Sequence, residues 1–549
     1  MLILSFMTFA ILFTVGQAFF TRTVNEAKFS ELTLSQTQAF YLADGAKNAA
    51  LAELRERVIS NIDQQVKNIT DVTTLQSYLP SRSLEFIRDY AYSGARDPHF
   101  AYSPGTAGAT LDIVRPDAGG GSYSARIELF SNGDATSSGG VFVFPYRYQI
   151  SATGTSSLRS LQQFVQAQGT FNITIQRDNF ARYALFTSTH TSPSGSIVWF
   201  TDRTTFRGPT HTNDRFSFAN NPSGTFTDTV TQVQQTARFY NNGSSVLLDA
   251  NANGALDVPS FQAGFTRGVT SIPLPATTDK VSQQKIALGL NSGDTIPKLK
   301  DDIYLPADGS TLKGGIYVQG DASQVSLSLD LSGHQKYTIT QGGTVREITV
   351  NPTTNTTTVV SGKSTTTYSG TPKNLLYVEG AVQGLSGTVS NETQLTIASK
   401  SDLKINNHVQ YQNYATAPGL NALGQRNLVG LLSWEGNVRI ATTAPDDLNV
   451  HGTVMAPNGV FTVDDYNKGS PRGTVTLLGG VITKYYGAFG TFSGSNSVSG
   501  YGRNFVYDGR MREGQSPPYF PTIANFTASN IGVQNAPTWD KVNGTVSSP

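Results

Sequence analysis

The sharpest chemical spacing in the chain is an oxygen-bearing run, Asp249, Asn251, Asn253 and Asp257, set around Gly254. With the Ala255 carbonyl, it follows the first nine positions of a D-x-[DN]-x-[DN]-G loop, a pattern that surrounds calcium with six or more oxygens. The twelfth position is Ser260 rather than a bidentate glutamate. An Asx-rich turn that needs no ion fits the same residues. Calcium is the one cofactor to which the chain points, and it would be held by Asp249, Asn251, Asn253, Ala255 and Asp257.

Other reactive residue types are present without a catalytic spacing. The six histidines are His99, His190, His211, His334, His408 and His451, and none falls in an H-E-x-x-H or H-x-x-x-H pattern. His211, following Pro209, reads as a hydrogen-bonding loop residue. No G-x-S-x-G elbow occurs, and Gly362-Lys363-Ser364 lacks the leading glycine of a phosphate loop. The doublets Asp446-Asp447 and Asp464-Asp465 could be read as carboxylates flanking a sugar, the arrangement of a β-helix polysaccharide-active enzyme. Neighbouring residues on a strand face opposite sides, so each doublet offers one inward group and reads better as a polar turn. The expectation is a protein that is not an enzyme.

Composition narrows the class further. Only 14% of the 549 residues are charged, against about 25% in an average soluble domain. The 53 glycines accompany abundant Thr, Ser, Asn and aromatic residues, which suits β-sheets with tight turns. With 40 basic and 39 acidic residues and no basic block, the electrostatic footprint of a nucleic-acid partner is missing. The absence of cysteine removes disulfides and thiolate chemistry.

Met1 to Phe20 carries no ionisable side chain and is long enough to cross a hydrocarbon layer of about 30 Å as a helix. A cleaved signal would show a basic start and a small-residue exit, and neither is present. Leu2, Ile3, Leu4, Phe6, Phe9, Ile11, Leu12, Phe13 and Val15 are the candidate assembly residues of this segment. Beyond it the helical period persists. Ala39, Phe40, Leu42, Ala43, Ala46, Ala50, Leu51, Leu54, Val58, Ile62, Val66 and Ile69 recur at three- and four-residue steps. The segment therefore reads as one long stem, apolar all round at its start and one-sided farther on, reaching about Asn68.

The uncharged start leading into AFYLADGAKNAALAEL (Ala39–Leu54) resembles the stems of PilX-like minor pilins and of the K-type pseudopilins of type II secretion. That resemblance implies insertion in the bacterial inner membrane, removal of a short basic leader, and packing against other pilin-like subunits in an extracellular filament. No basic leader precedes Met1, so the expectation is that it has been removed or that the start is set differently. If Met1 is the mature first residue, Ser5 stands where major pilins carry a glutamate that pairs with the neighbouring subunit's N-terminus. This favours a minor, tip or initiating subunit and leaves a major one open.

After Asp71 the period changes to alternation, and the fold class expected is mainly β with a long N-terminal α-helix. The expected organisation is a stem over 1–70, a short helix and Gly/Pro-rich linker over 71–123, and a β-sandwich or sheet region over 124–305. A β-helix-like solenoid would follow over 306–521, with a hairpin insertion at 333–372, and then a tail over 522–549. The echo of GGIYVQG (Gly314–Gly320) in LLYVEG (Leu375–Gly380), followed by short strands every eight to twelve residues, carries the solenoid reading. The blocks FRGPTHTND (Phe206–Asp214), LLYVEGAVQGLSGTVS, LKINNHVQY, VHGTVMAPNGVFTVDDYN, PRGTVTLLGGVITKYYGAFGTF, GYGRNFVYDGRM and PPYFP resemble a family of uncharacterised bacterial surface proteins. In that family a pilin-like stem precedes the same β-body, which implies architecture and location but no chemistry.

Three functions follow in descending order: a structural filament subunit, a membrane-anchored surface adhesin that binds glycans, and a β-helix glycanase. The late aromatic residues Tyr485, Tyr486, Tyr501, Phe505, Tyr507, Tyr519 and Phe520 could bind surface glycans or pack a C-terminal cap in which GYGRNFVYD and PPYFP wrap over the body.

Overall fold

The structure is a computed structural model that describes residues 2–54, 58–69, 71–91, 100–102, 108–138, 141–202, 204–219, 224–241, 244–251, 257–414, 425–493, 496–512, 514–529 and 534–542. It divides into two compact units, residues 1–178 with 524–549, and residues 179–523.

In the first unit the stem forms helix α1 (Leu2–Glu53), and its apolar stripe continues into α2 (Ile59–Val66). Ala39, Ala43, Ala46, Ala50, Leu54, Val58, Ile62, Val66 and Ile69 are buried, as their spacing requires. They lie against an eight-stranded sheet whose central strands are Gly108–Arg115, Gly121–Ser131, Val141–Ser156 and Gln162–Asn179, paired antiparallel in sequence order. Alternation along the strands sends Leu111, Ile127, Leu129, Phe142, Phe144, Tyr146, Ile150, Ile173 and Ile175 into the core beneath the stem. The helix can approach closely because the contact is built from small residues. A Cβ at Gly154 would overlap the Ala39 carbonyl oxygen and the Ala43 amide nitrogen. Polar ties flank this contact: Ser156 Oγ donates to Gln38 Oε1 at 2.6 Å, and Arg159 meets Glu31 at 2.6 Å.

Two short helices, α3 (Val72–Gln76) and α4 (Ser83–Ala91), close one flank of this core through Leu75, Phe86 and Ile87, with the Phe86 ring stacked 4.1 Å from Phe144. Among the described residues, the expected linker over 71–123 thus holds α3, α4, the strands Phe100–Tyr102 and Gly108–Arg115, and the start of Gly121–Ser131. Its small-residue composition conceals the alternation of Ala109 and Leu111, both buried. Two strands are described within the expected tail over 522–549. Thr522–Ser529 and Gln534–Val542 join the same sheet along Gln162–Asn179, and Phe526 is buried in the core.

The second unit is a stack of short parallel strands. One ladder runs, in spatial order, through Phe265–Arg267, Val230–Gln232, Thr210–Thr212, Leu185–Thr187, Val481–Thr483, Thr453–Ala456, Leu428–Ser433, Gln394–Ser399, Leu375–Val378 and Ile316–Gln319. Asp302–Tyr304 closes it antiparallel. The chain enters this ladder at its middle and climbs to Arg267. It then crosses to the far end through α5 (Thr277–Ala287) and returns rung by rung until Val481–Thr483 docks on Leu185–Thr187. The expected boundary at 305/306 is therefore not a structural one. Part of the presumed sandwich, 124–178, belongs to the stem's sheet, and the remainder belongs to this stack.

The rungs Leu375–Val378 and Leu428–Ser433 read as nearly unbroken apolar runs because both of their faces are covered. Inward residues such as Leu376, Ile397, Leu431 and Val454 meet the second sheet. Over the other face, Gln284 of α5 donates to Tyr317 Oη at 3.0 Å, and Trp434 Nε1 donates to Gln283 Oε1 at 2.8 Å. The PPYFP segment does wrap the body: Thr396 Oγ1 donates to the Pro518 carbonyl, and a Cβ at Gly430 would overlap the Phe520 ring. The sequence echo is two adjacent rungs. Tyr317 pairs with Tyr377, and their rings stack 5.8 Å apart at 3°.

The second sheet has fifteen strands. Its parallel part orders Gln324–Leu329, Val382–Val389, Leu403–Tyr411, Asn449–His451, Pro471–Leu478 and Asn496–Val506. An antiparallel meander, Gln335–Gln341, Thr344–Asn351, Thr356–Ser361 and Ser364–Ser369, extends it where the hairpin insertion was expected.

Candidate functional site

The residues least explained by folding are at the start of α1. Leu2, Ile3, Leu4, Phe6, Phe9, Ile11, Leu12, Phe13 and Val15 are all exposed, Leu2 at 86% and Phe13 at 62%. From Leu2 to Phe20 the helix spans about 28 Å at 1.5 Å per residue, close to the hydrocarbon thickness of a bilayer. Its few hydroxyls are satisfied within the helix: Thr8 Oγ1 donates to the Leu4 carbonyl and Thr14 Oγ1 to the Ala10 carbonyl, each at 2.6 Å. A surface without water could therefore cover this segment without stranding these hydroxyls. Ser5 follows the same pattern, donating to the Leu2 carbonyl at 3.3 Å. The first formal charges appear just beyond, where Arg22 and Glu26 pair at 2.9 Å. This is the one helix among the described residues long and apolar enough to cross a membrane.

From Ser35 onward the same helix buries its small residues on the sheet, while its opposite face stays open. Leu34 and Tyr41, two helical turns apart, are exposed on that open face. They were not among the expected assembly residues, although their seven-residue spacing was readable.

The oxygen-rich loop is placed in part. Asp249, Asn251 and Asp257 are described, whereas Asn253 and Ala255 lie outside the described residues. The Asn251 side-chain oxygen accepts from the Arg267 guanidinium, which lies over the Phe265 ring at 4.0 Å. The negative charge of Asp249 acts on the same guanidinium. Asp257 is buried. No cluster of three or more His, Asp or Glu side chains forms a metal cage among the described residues.

The remaining candidates have local partners. Asp446 meets Arg472 at 3.0 Å, and Asp447 accepts from the Thr474 amide at 2.9 Å. Asp464 meets Arg439 and, at 3.4 Å, Lys404, while Asp465 meets Lys468 at 3.0 Å. Asp447 and Asp465 both hold a positive φ, as turn residues do. His211 makes two hydrogen bonds, to Thr231 Oγ1 at 2.8 Å and Asn213 Oδ1 at 3.0 Å, and stacks on Phe186. His190 is enclosed by Phe200, Phe216 and Tyr486, and burial pushes its pKa down to about 3. His99 lies outside the described residues. Gly362 and Lys363 form the turn between the last two meander strands.

Residues 142–234 match a family described as a domain of unknown function, DUF4900. No curated protein matches the chain. Among solved structures, the competence-associated pilin ComZ from Thermus thermophilus aligns over 92% of this chain and 98% of its own, at 11% identity and a TM-score of 0.31.

Proposed function

We propose that this chain is a structural subunit of a type IV pilus-like or type II secretion-like filament. It would be held in the inner membrane by Leu2–Phe20 before assembly and packed through the same surface against other pilin-like subunits afterwards. The observation that carries this reading is the division within α1. One end is uncharged and exposed on every side, and the continuation is buried by alanines against its own sheet. An exposed apolar surface of this extent is found where lipid or another protein covers it. The β-body is then a non-catalytic module presented at the cell surface, with calcium at 249–257 as a stiffening ion.

The absence of cysteine makes a direct test available. Single cysteines placed at Phe9 and Phe13 should give disulfide-linked dimers in assembled filaments and none in detergent-solubilised monomer. Phe13→Asp should abolish both membrane retention and assembly, because a mid-bilayer carboxylate costs about 3 kcal/mol on insertion scales. Filaments that incorporate Phe13→Asp at the normal level would overturn the reading.

A further inference from the structure

A cavity of about 370 Å³ opens on the face of the fifteen-stranded sheet, within the second unit. Four rungs distant in sequence build it. Asn449 pairs with Thr476 and Thr476 with Asn504, so three polar side chains line up across neighbouring strands at the inter-strand spacing of about 4.8 Å. Gln410 lies on the adjoining strand Leu403–Tyr411. Their inward neighbours Val450 and Leu477 are fully buried, which fixes the polar set on the outer face.

One wall is a histidine held in a defined state. The Tyr411 N–H donates to His451 Nδ1 at 3.0 Å, and burial pushes the His451 pKa down to about 4. The ring is thus neutral near pH 7, with its proton on Nε2. That Nε2–H has no hydrogen-bond partner among the described residues, although His451 is 3% exposed. The Tyr414 ring stands beside it, 4.4 Å away between centroids at 63°. None of the nine lining residues carries a formal charge. A buried ion pair, Asp508 with Arg510 at 2.6 Å, also reaches this wall: the Arg510 guanidinium lies 5.6 Å from the Tyr411 ring centroid, and the Asp508 charge acts on His451.

We infer that this cavity binds a neutral carbohydrate. Side-chain amides and hydroxyls both donate and accept, which suits the adjacent hydroxyls of a sugar, and Tyr414 offers an apolar face for the C–H side of a pyranose ring. His451 supplies one fixed donor. An extended peptide is disfavoured because its usual means of binding a sheet is main-chain pairing at an edge. Here Asn449–His451 is already paired on both sides, by Leu403–Tyr411 and Pro471–Leu478. With no carboxylate in the lining, the sugar is held and not cleaved. The site is built from residues of the second unit alone and does not depend on the filament reading.

The test uses the full chain in a zwitterionic detergent that has no sugar headgroup. It is titrated by calorimetry with oligomers of glucose, galactose and N-acetylglucosamine, with a uronic acid oligomer, and with a tetra-alanine peptide. At least one neutral oligomer should bind, with an affinity unchanged by added salt. Asn449→Ala and Asn504→Ala should each weaken it about tenfold, the loss of one or two hydrogen bonds, without moving the melting temperature. Tyr414→Ala should weaken it as well. The inference is overturned if no neutral oligomer binds at about 10 mM, near the weak limit of specific recognition. It is equally overturned if only the uronate or the peptide binds, or if the substitutions leave binding unchanged.

Discussion

The two units bury their apolar residues by opposite means. In the first, strands as long as Gln162–Asn179 alternate along their length, and one face is covered by the stem. In the second, rungs of two to six residues are covered on both faces, inward by the second sheet and outward by α5 and the 517–521 segment. The first arrangement concentrates dependence on a single helix, and that helix also carries the assembly surface. The second distributes dependence over many nearest-neighbour contacts, so damage should remain local. Anything that disturbs the buried part of α1, from Ala39 onward, should therefore affect folding and assembly together, whereas the stack should yield one rung at a time.

Acid separates the two units most strongly. The sequence places His190, His211, His334, His408 and His451 in the second unit and only His99 in the first. Folded His190 and His451 titrate at about 3 and about 4, because burial disfavours the charged ring, against about 6.5 when unfolded. Their neutral state contributes stability above pH 6.5. That stability is lost as the pH falls below 6.5, since the unfolded chain then binds protons that the folded chain refuses. At pH 4.5 the combined loss should reach about 5 kcal/mol at most. Hydrogen exchange followed by mass spectrometry between pH 7.5 and 4.5 should, after correction for intrinsic rates, show protection falling in Leu185–Thr187 and Asn449–His451 while Gly121–Ser131 holds. Equal loss in both units would remove the distinction.

The next largest effect should come from the helix–sheet contact. Gly154→Val places a branched side chain where the α1 backbone passes, so the stem must shift or lift. Overpacking of this kind costs about 3 kcal/mol. Protection should fall in Val141–Ser156 and in α1 from Ala39 onward, and filament incorporation should fall with it. The rungs Leu375–Val378 and Gln394–Ser399 should keep their protection. A Gly154→Val chain that loses this protection yet assembles at the normal level would show that the buried and exposed parts of α1 act independently.

The same contrast governs what the amino-acid order discloses. Long alternation and a helical stripe repeat often enough to be read, which is why the buried series Ala39 to Ile69 and the exposed series Leu2 to Val15 were both legible. The Tyr317 and Tyr377 rungs were legible because the echo preserved a whole strand. The rungs before them were not. Thr205-Phe206 followed by Thr210–Thr212 recurs twenty residues later as Thr225-Phe226 followed by Val230–Gln232, and these pairs stack in register. Strands of two and three residues leave no alternation to count, so only that period of twenty could have disclosed them. The cavity was beyond reach for a different reason. Gln410, Asn449, Thr476 and Asn504 meet only through the register of strands separated by loops of unequal length.

The smallest effect belongs to the oxygen-rich loop, and it tests whether the second unit can be stiffened at one rung alone. Calcium at 249–257 would have to compete with a cation already present, because the Asn251 oxygen accepts from Arg267 and Asp249 attracts the same guanidinium. The gain on binding is therefore a difference between two cations, and it should be modest. If free calcium stands at about ten times its dissociation constant, the stabilisation is about 1.4 kcal/mol, which raises the melting temperature by about 2 °C for a unit of this size. The rise should be confined to the second unit, with added protection in Phe265–Arg267. Asp249→Ala should abolish it by removing a ligand. Arg267→Gln should enlarge it by releasing the Asn251 oxygen, and that increase distinguishes competition at one site from general charge screening, which magnesium would reproduce equally. If millimolar calcium leaves the melting temperature of both the native chain and Arg267→Gln unchanged, the loop is an Asx turn closed by arginine, and the second unit stands without a metal.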